Sequence, residues 1–234
     1  MLFTRLLRQV PSLCAVCRGW GTQSVCTACT ERFAQEVPRC ERCALQVPAG
    51  VRVCGACLVD PPVFDSALAG VDYAHPWSAL ITQFKFHEAL DLAQALAALL
   101  QAAQQRAASP LPHLLLPVPL STQRLRERGF NQAWELTRRL ARALHAQTDA
   151  HLLLRVKDSP HQLALPPEQR TANVRGVFAV EPLRRAELHG RTVAVIDDVM
   201  TTGATFGEIA RVLKQAGASR VEAWALARTP RPAD

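Results

Sequence analysis

Two adjacent aspartates, Asp197 and Asp198, end an apolar run (Val193-Ala-Val-Ile) and are followed within a few residues by Thr201-Thr-Gly-Ala-Thr205. A short apolar run of this kind reads as a buried strand, and open α/β sheets bind ligands at the carboxyl ends of their strands. Two carboxylates there can accept hydrogen bonds from vicinal sugar hydroxyls. A Thr/Gly turn entering a helix offers backbone N–H groups and hydroxyls to a phosphate dianion, and Gly203 lets the backbone approach it. Each part suits a ribose 5-phosphate, so Asp197, Asp198, Thr201, Thr202, Gly203, Ala204 and Thr205 form the first candidate site.

A second group of residues suits another anion. Pro117-Val-Pro-Leu-Ser-Thr-Gln-Arg-Leu-Arg-Glu-Arg-Gly129 reads as a strand end opening into a loop with Ser121 and arginines that include Arg124 and Arg128. Guanidinium forks pair bidentately with phosphate oxygens. Lys85 lies between two phenylalanines, either reaching the carboxyl edge of the sheet or snorkelling from a core helix; the second reading is favoured on the sequence. Lys157, His161 and Gln162 fall in the polar, basic segment 155–170, which reads equally as a lid or as a solvated loop.

All eight cysteines precede Leu58, as Cys14/Cys17, Cys26/Cys29, Cys40/Cys43 and Cys54/Cys57. Repeated C-x2-C knuckles are metal-ligand spacing, and eight thiolates fit two closed tetrahedral zinc sites. A closed site leaves no position for a substrate, so this zinc is expected to be structural. Consecutive pairing, with Cys14, Cys17, Cys26 and Cys29 on one ion and Cys40, Cys43, Cys54 and Cys57 on the other, is the simpler of two arrangements.

The elements that must position these groups follow from periodicity. Residues 1–60 form a cysteine-rich unit whose folding depends on metal, and Pro61-Pro62 separate it from an α/β unit over 61–234. Residues 64–73 read as extended structure around a turn at Gly70. Apolar residues at three- and four-residue steps predict a helical stretch over 77–107, broken near His87, and a second helix to about Ala146 with Phe130, Trp134, Leu136, Leu140 and Leu144 inward. Strands are expected at 113–120, 151–156, 192–196 and 221–226, with a helix over 205–216. The fold class is α/β: an open, mostly parallel sheet with helices on both faces and a small cysteine-rich zinc-binding module at the N-terminus.

A formal net charge of +7 suits an anionic ligand, phosphate ester or nucleic acid, without choosing between them. Only 13 of the residues are aromatic, most at core-like positions, so a base-stacking platform is not evident. The seven histidines show no H-x-x-x-H pattern. The N-terminal residues lack the apolar core of a signal peptide, and the richest apolar window, 89–103, is interrupted by Asp91, Gln94 and Gln101. No membrane insertion is expected, and the placement is cytoplasmic.

The thirteen residues Val193 to Thr205 resemble the phosphoribosyl-diphosphate (PRPP) signature of type I phosphoribosyltransferases. P-V-P-L before R-x-R-x-R-G-F-N-Q, F-K-F-H at 84–87, Gln162 with Leu163, and the later Arg170 and Asn173 to Phe178 together resemble the ComF family, as does the cysteine module. That resemblance spans the chain from Cys14 to about Arg228. It implies a type I phosphoribosyltransferase fold and PRPP binding, with magnesium bridging the diphosphate and ribose oxygens. By the same resemblance the loop 120–128 takes the diphosphate, with Ser121, Arg124, Arg128, Lys85 and Lys157 as its candidates. In some members it also implies a role in natural competence, with single-stranded DNA handled after uptake alongside proteins of the competence machinery. No acceptor is implied. Two functions remain open on the sequence: transfer of phosphoribose with release of diphosphate, and PRPP binding without catalysis in a factor that engages single-stranded DNA or protein.

Overall fold

The structure is a computed structural model that describes residues 11–157 and 176–231. The first knuckle carries β1 (Ser12–Leu13), β2 (Trp20–Gly21) and α1 (Thr27–Phe33), and the second ends in α2 (Gly55–Val59). Then come β3 (Ser66–Asp72), α3 (Trp77–Phe86), a 3-10 turn at Leu90–Leu92, α4 (Ala93–Ala107), β4 (Leu114–Pro117), α5 (Thr122–Arg128) and α6 (Gln132–Leu144). The chain closes with β5 (Leu153–Arg155), β6 (Phe178–Val180), β7 (Thr192–Met200), α7 (Ala204–Gln215) and β8 (Arg220–Arg228).

Four strands form one sheet in the order β3-β8-β7-β4, and every pairing in it is parallel. All their carboxyl ends therefore meet along one edge. The expected sheet with helices on both faces is what the structure shows. Alternation along β7 divides the core: Val193 and Val195 pack with Phe206, Ile209 and Leu213 of α7, whereas Ala194 and Ile196 pack with α3, α4 and α6 through Ile81, Phe84, Leu96, Leu136 and Leu140. The antiparallel pair β5–β6 stands apart from this sheet.

Several sequence expectations need correction. Residues 64–73 contain no turn at Gly70: β3 runs straight through it. The glycine is there for closeness, since a Cβ would sit 3.0 Å from Leu226 O and 3.2 Å from the Leu99 carbonyl carbon, where the backbone of α4 lies against the strand. The arginine stretch 124–128 is not a loop but the helix α5, started by Ser121, whose Oγ accepts from Arg124 N at 3.3 Å. β7 is longer than 192–196, carrying both aspartates inside the strand. In α6 the inward positions are Gln132, Ala133, Leu136, Thr137, Leu140 and Ala141; Trp134, Phe130 and Leu144 are only half-buried. The helical stretch after Trp77 does break at His87, and Glu88 takes φ 54° there. His161, Gln162, Leu163, Arg170 and Asn173 lie outside the described residues.

The knuckles are packed on this sheet. Cys14, Val25 and Cys29 join the apolar cluster of α3 and α4, and Trp77 Nε1 donates to Phe33 O at 2.8 Å. The second knuckle covers the free edge of β3: Ala67 N donates to Glu41 O at 2.9 Å, Arg39 pairs with Asp72 at 2.7 Å, and Ala44 enters the other cluster beside Phe64. Among the described residues no helix is long and apolar enough to cross a membrane.

Candidate functional site

The carboxyl edge collects the candidate residues from several elements. Because Asp197 and Asp198 are successive residues of β7, their side chains leave opposite faces of the sheet. Asp198 is buried on the α3/α6 face, where its Oδ2 accepts from Lys85 Nζ at 2.8 Å and its Oδ1 from Gln132 Nε2 at 3.5 Å. Lys85 thus reaches the carboxyl edge, and the snorkelling favoured on the sequence is overturned. It sits in the last turn of α3, which ends at Phe86, and that placement aims the ammonium at the strand end.

The electrostatics split the two acids. Burial works against ionising Asp198, but the Lys85 charge and hydrogen bonds from Asp197, Lys85 and Gln132 hold its carboxyl below the usual range. Asp197 goes the other way, pushed well up by burial and by the neighbouring Asp198 charge. Burial also opposes the Lys85 charge, and the two carboxylates outweigh it. The pair therefore presents one firm anion and one readily protonated neighbour.

Beyond β7 the chain turns sharply. Gly203 adopts φ 84° as the N-cap of α7, a conformation that favours glycine, and as a glycine it offers that helix no side-chain cap. Thr201 and Thr202 are exposed, Thr202 Oγ1 accepts from Ala204 N at 3.3 Å, and the Phe64 ring flanks the turn 3.5 Å from where a Cβ on Gly203 would sit. Helix-start N–H groups beside two hydroxyls are donors of the kind an oxyanion takes.

Of the second anion group, the structure brings Arg128 in and leaves others peripheral. Arg128 Nη1 donates to Gln132 Oε1 at 2.5 Å and its guanidinium lies 5.1 Å over the exposed Phe86 ring, so Arg128, Gln132, Asp198 and Lys85 form one connected row. Arg124 is half-buried nearby on α5, while Ser121 is buried and occupied as its cap. Lys157 is exposed at the open end of the β5–β6 pair, beside Gly176.

The cysteines form two clusters: Cys14, Cys17, Cys26 and Cys29, and Cys40, Cys43, Cys54 and Cys57, with all four sulfurs of each within 4.8 Å of one another. The consecutive pairing is therefore the one the fold makes. Cys17 and Cys26 sulfurs are 3.8 Å apart, as are those of Cys43 and Cys54. Four sulfurs at about 2.3 Å from a tetrahedral zinc are about 3.8 Å apart, so these spacings suit that ion. The two knuckles also share one local bond, Cys26 N to Cys14 Sγ and Cys54 N to Cys40 Sγ, each 3.3 Å. Burial acts to raise the Cys14 thiol, but backbone donors from Cys26, Cys17 and Val16 bring it down to about 6; burial and the neighbouring sulfurs push Cys29 up to about 12. Without a cation Cys29 keeps its proton at neutral pH, and a zinc ion would displace it.

The chain is 35% identical over 227 residues to the DNA utilization protein YhgH of Escherichia coli O157:H7, covering 94% of this chain and 98% of that protein. It is 32% identical over 222 residues to Competence protein F of Haemophilus influenzae, covering 92% of this chain and 96% of that one. The chain belongs to the ComF family. No family model matches this ComF sequence. Among solved structures, adenine phosphoribosyltransferase from Leishmania donovani is similar at 18% identity and a TM-score of 0.40, over 68% of this chain and 70% of that one.

Three residues of this ComF protein were missed in its sequence. Gln132 and Phe86 stood inside quoted motifs, yet neither residue type announces a role. The third, Arg228, is buried at the end of β8, where its Nη1 donates to Met200 O at 3.0 Å and also to Thr201 O, while its Nε donates to Cys43 O at 2.8 Å. An arginine ending an apolar run, Val221-Glu-Ala-Trp-Ala-Leu-Ala227, was the available signal.

Proposed function

We propose that this ComF protein binds PRPP at the carboxyl edge of its parallel sheet and transfers phosphoribose to an acceptor, in the cytoplasm, as part of DNA uptake or utilisation. One observation carries the reading: β7 delivers Asp197 and Asp198 and, shortly after its end, the Gly203-led start of α7. Asp198 and Asp197 would accept the ribose hydroxyls, and the N–H groups and hydroxyls of Thr201, Thr202, Gly203, Ala204 and Thr205 would take the 5-phosphate. Lys85 keeps Asp198 anionic, while Arg128, Arg124 and, from the β5–β6 side, Lys157 supply positive charge for the diphosphate; Ser121 contributes by starting the helix that carries the arginines.

Magnesium, which such a substrate demands, would bind the diphosphate and ribose oxygens. In the reaction the C1–oxygen bond to diphosphate breaks with its electron pair leaving on that oxygen, and the acceptor's lone pair forms the new bond at C1. Cations near the leaving group and fixed donors at the 5-phosphate stabilise the charge that develops. The two knuckles hold zinc as structure, on this reading, with residues 1–60 as one module and 61–234 as the PRPP-binding unit of type I phosphoribosyltransferase fold. The names of the relatives, DNA utilization protein and Competence protein F, support DNA uptake or utilisation as the setting, and single-stranded DNA or competence proteins would be the partners on this reading.

Calorimetric titration of PRPP with magnesium into the wild type and into Asp197→Asn/Asp198→Asn tests this directly. Saturable binding that the double variant weakens by at least about a hundredfold, as expected when the firm anion Asp198 and the neighbouring acceptor Asp197 both become amides, is the supporting result, and no binding to the zinc-loaded wild type would overturn it. A diphosphate-release assay then separates turnover from binding alone.

A further inference from the structure

Arg228 touches both halves of the molecule. Its side chain is buried, and the four acceptors it reaches, the carbonyl oxygens of Cys43, Met200, Thr201 and Thr229, are all uncharged. A guanidinium withdrawn from water calls for a negative charge close by. Zinc with four thiolates carries a net charge of minus two, and Cys43 is one of those thiolates; Arg231, with Nη2 3.8 Å from Cys54 Sγ, adds a second cation on the same side. On its other side Arg228 fixes the two carbonyls that open the phosphate turn. In a trans peptide the C=O and the following N–H point in opposite directions. Holding Met200 O and Thr201 O inward therefore turns the N–H groups of Thr201 and Thr202 outward, to the exposed side where those threonines stand.

We propose that Arg228 is a positioning residue that ties zinc at Cys40, Cys43, Cys54 and Cys57 to phosphate binding at Thr201–Thr205, so that each ligand strengthens the other. This rests on the reading of that turn as the 5-phosphate site. Zinc fixes the Cys43 carbonyl and balances the guanidinium; the guanidinium shapes the turn. Among the described residues the first tetrad has no such link: its knuckle meets the apolar α3/α4 cluster and the Phe33–Trp77 bond instead. By linkage the factor by which zinc strengthens phosphate binding equals the factor by which phosphate strengthens zinc binding.

The test is an equilibrium competition of the full chain's zinc against a chromogenic chelator, with ribose 5-phosphate from zero to saturation. One of the two zinc ions should become harder to remove, by about tenfold. Ribose 5-phosphate affinity, read by calorimetry, should fall by about the same factor in Cys57→Ser and stay near wild type in Cys17→Ser. Arg228→Lys keeps the charge but cannot bridge four carbonyls, so it should bind both zinc ions and lose the linkage. Linkage that persists in Arg228→Lys removes the role from this residue. If ribose 5-phosphate binds the wild type while zinc retention ignores it and both cysteine variants bind alike, the coupling is wrong and the phosphate site stands. If the zinc-loaded wild type binds no ribose 5-phosphate, the site and the coupling both fail. Should Arg228→Lys not fold, the wild-type linkage and the two cysteine variants still decide.

Discussion

The two knuckles have the same ligands, the same C-x2-C spacing and the same N–H to sulfur bond, and they attach to the rest of the molecule in different ways. The first is held by apolar burial, with Val25 among the side chains of α3 and α4 and the Trp77 indole reaching Phe33 O. The second is held by main-chain and charged contacts along β3 and at the carboxyl edge, through Glu41, Arg39 and Arg228. Ligand spacing fixes how a knuckle folds, and the residues between the ligands fix what it is joined to.

The largest effect that sharpens this contrast is metal removal. Structural zinc in small modules contributes about 10–16 kcal/mol of apparent binding free energy at pH 7, so stripping both ions should unfold both knuckles and lower the melting temperature steeply. Acid should do the same. With Cys29 held up at about 12, protons compete for the sulfurs, so zinc affinity in a pH series should weaken as pH falls and strengthen as it rises.

Substitutions that spare the ligands separate the two attachments. Trp77→Ala removes a fully packed indole and its hydrogen bond, and should cost about 3–5 kcal/mol in denaturant melts, with the first zinc released more readily than the second. Arg39→Ala leaves Asp72 with Gln46 and should cost about 1–3 kcal/mol, with the order of release reversed. If both variants loosened the same ion, the knuckles would be one cooperative unit and the contrast would be broken.

How much of this was legible in the sequence depends on what kind of atom each contact uses. The strand-acid-turn-helix array at 193–205 was readable because side-chain types and backbone-permissive glycine spell it out, and the cysteine tetrads because only sulfur spacing matters there. The reach of Lys85 was not, since a lysine between phenylalanines fits a core helix as well as a strand end; its partner Asp198 is 113 residues away. Arg228 was flagged only by its place at the end of an apolar run, and its role could not be read, because its partners are carbonyl oxygens and a carbonyl belongs to every residue. Gly70 was misread as a turn because a glycine in an extended run signals either a bend or a close approach, and the approaching backbone, that of α4, comes from elsewhere in the chain.

The outer side of β3 has a consequence of its own. Glu41 O satisfies the Ala67 N–H along that edge, and the knuckle that supplies it is folded around sulfur ligands. A chain short of metal would bare a strand with unsatisfied donors, which is a template for pairing with a second chain. With metal bound at the second knuckle that edge would stay covered, so stripping the metal should be read in light scattering as well as in melting.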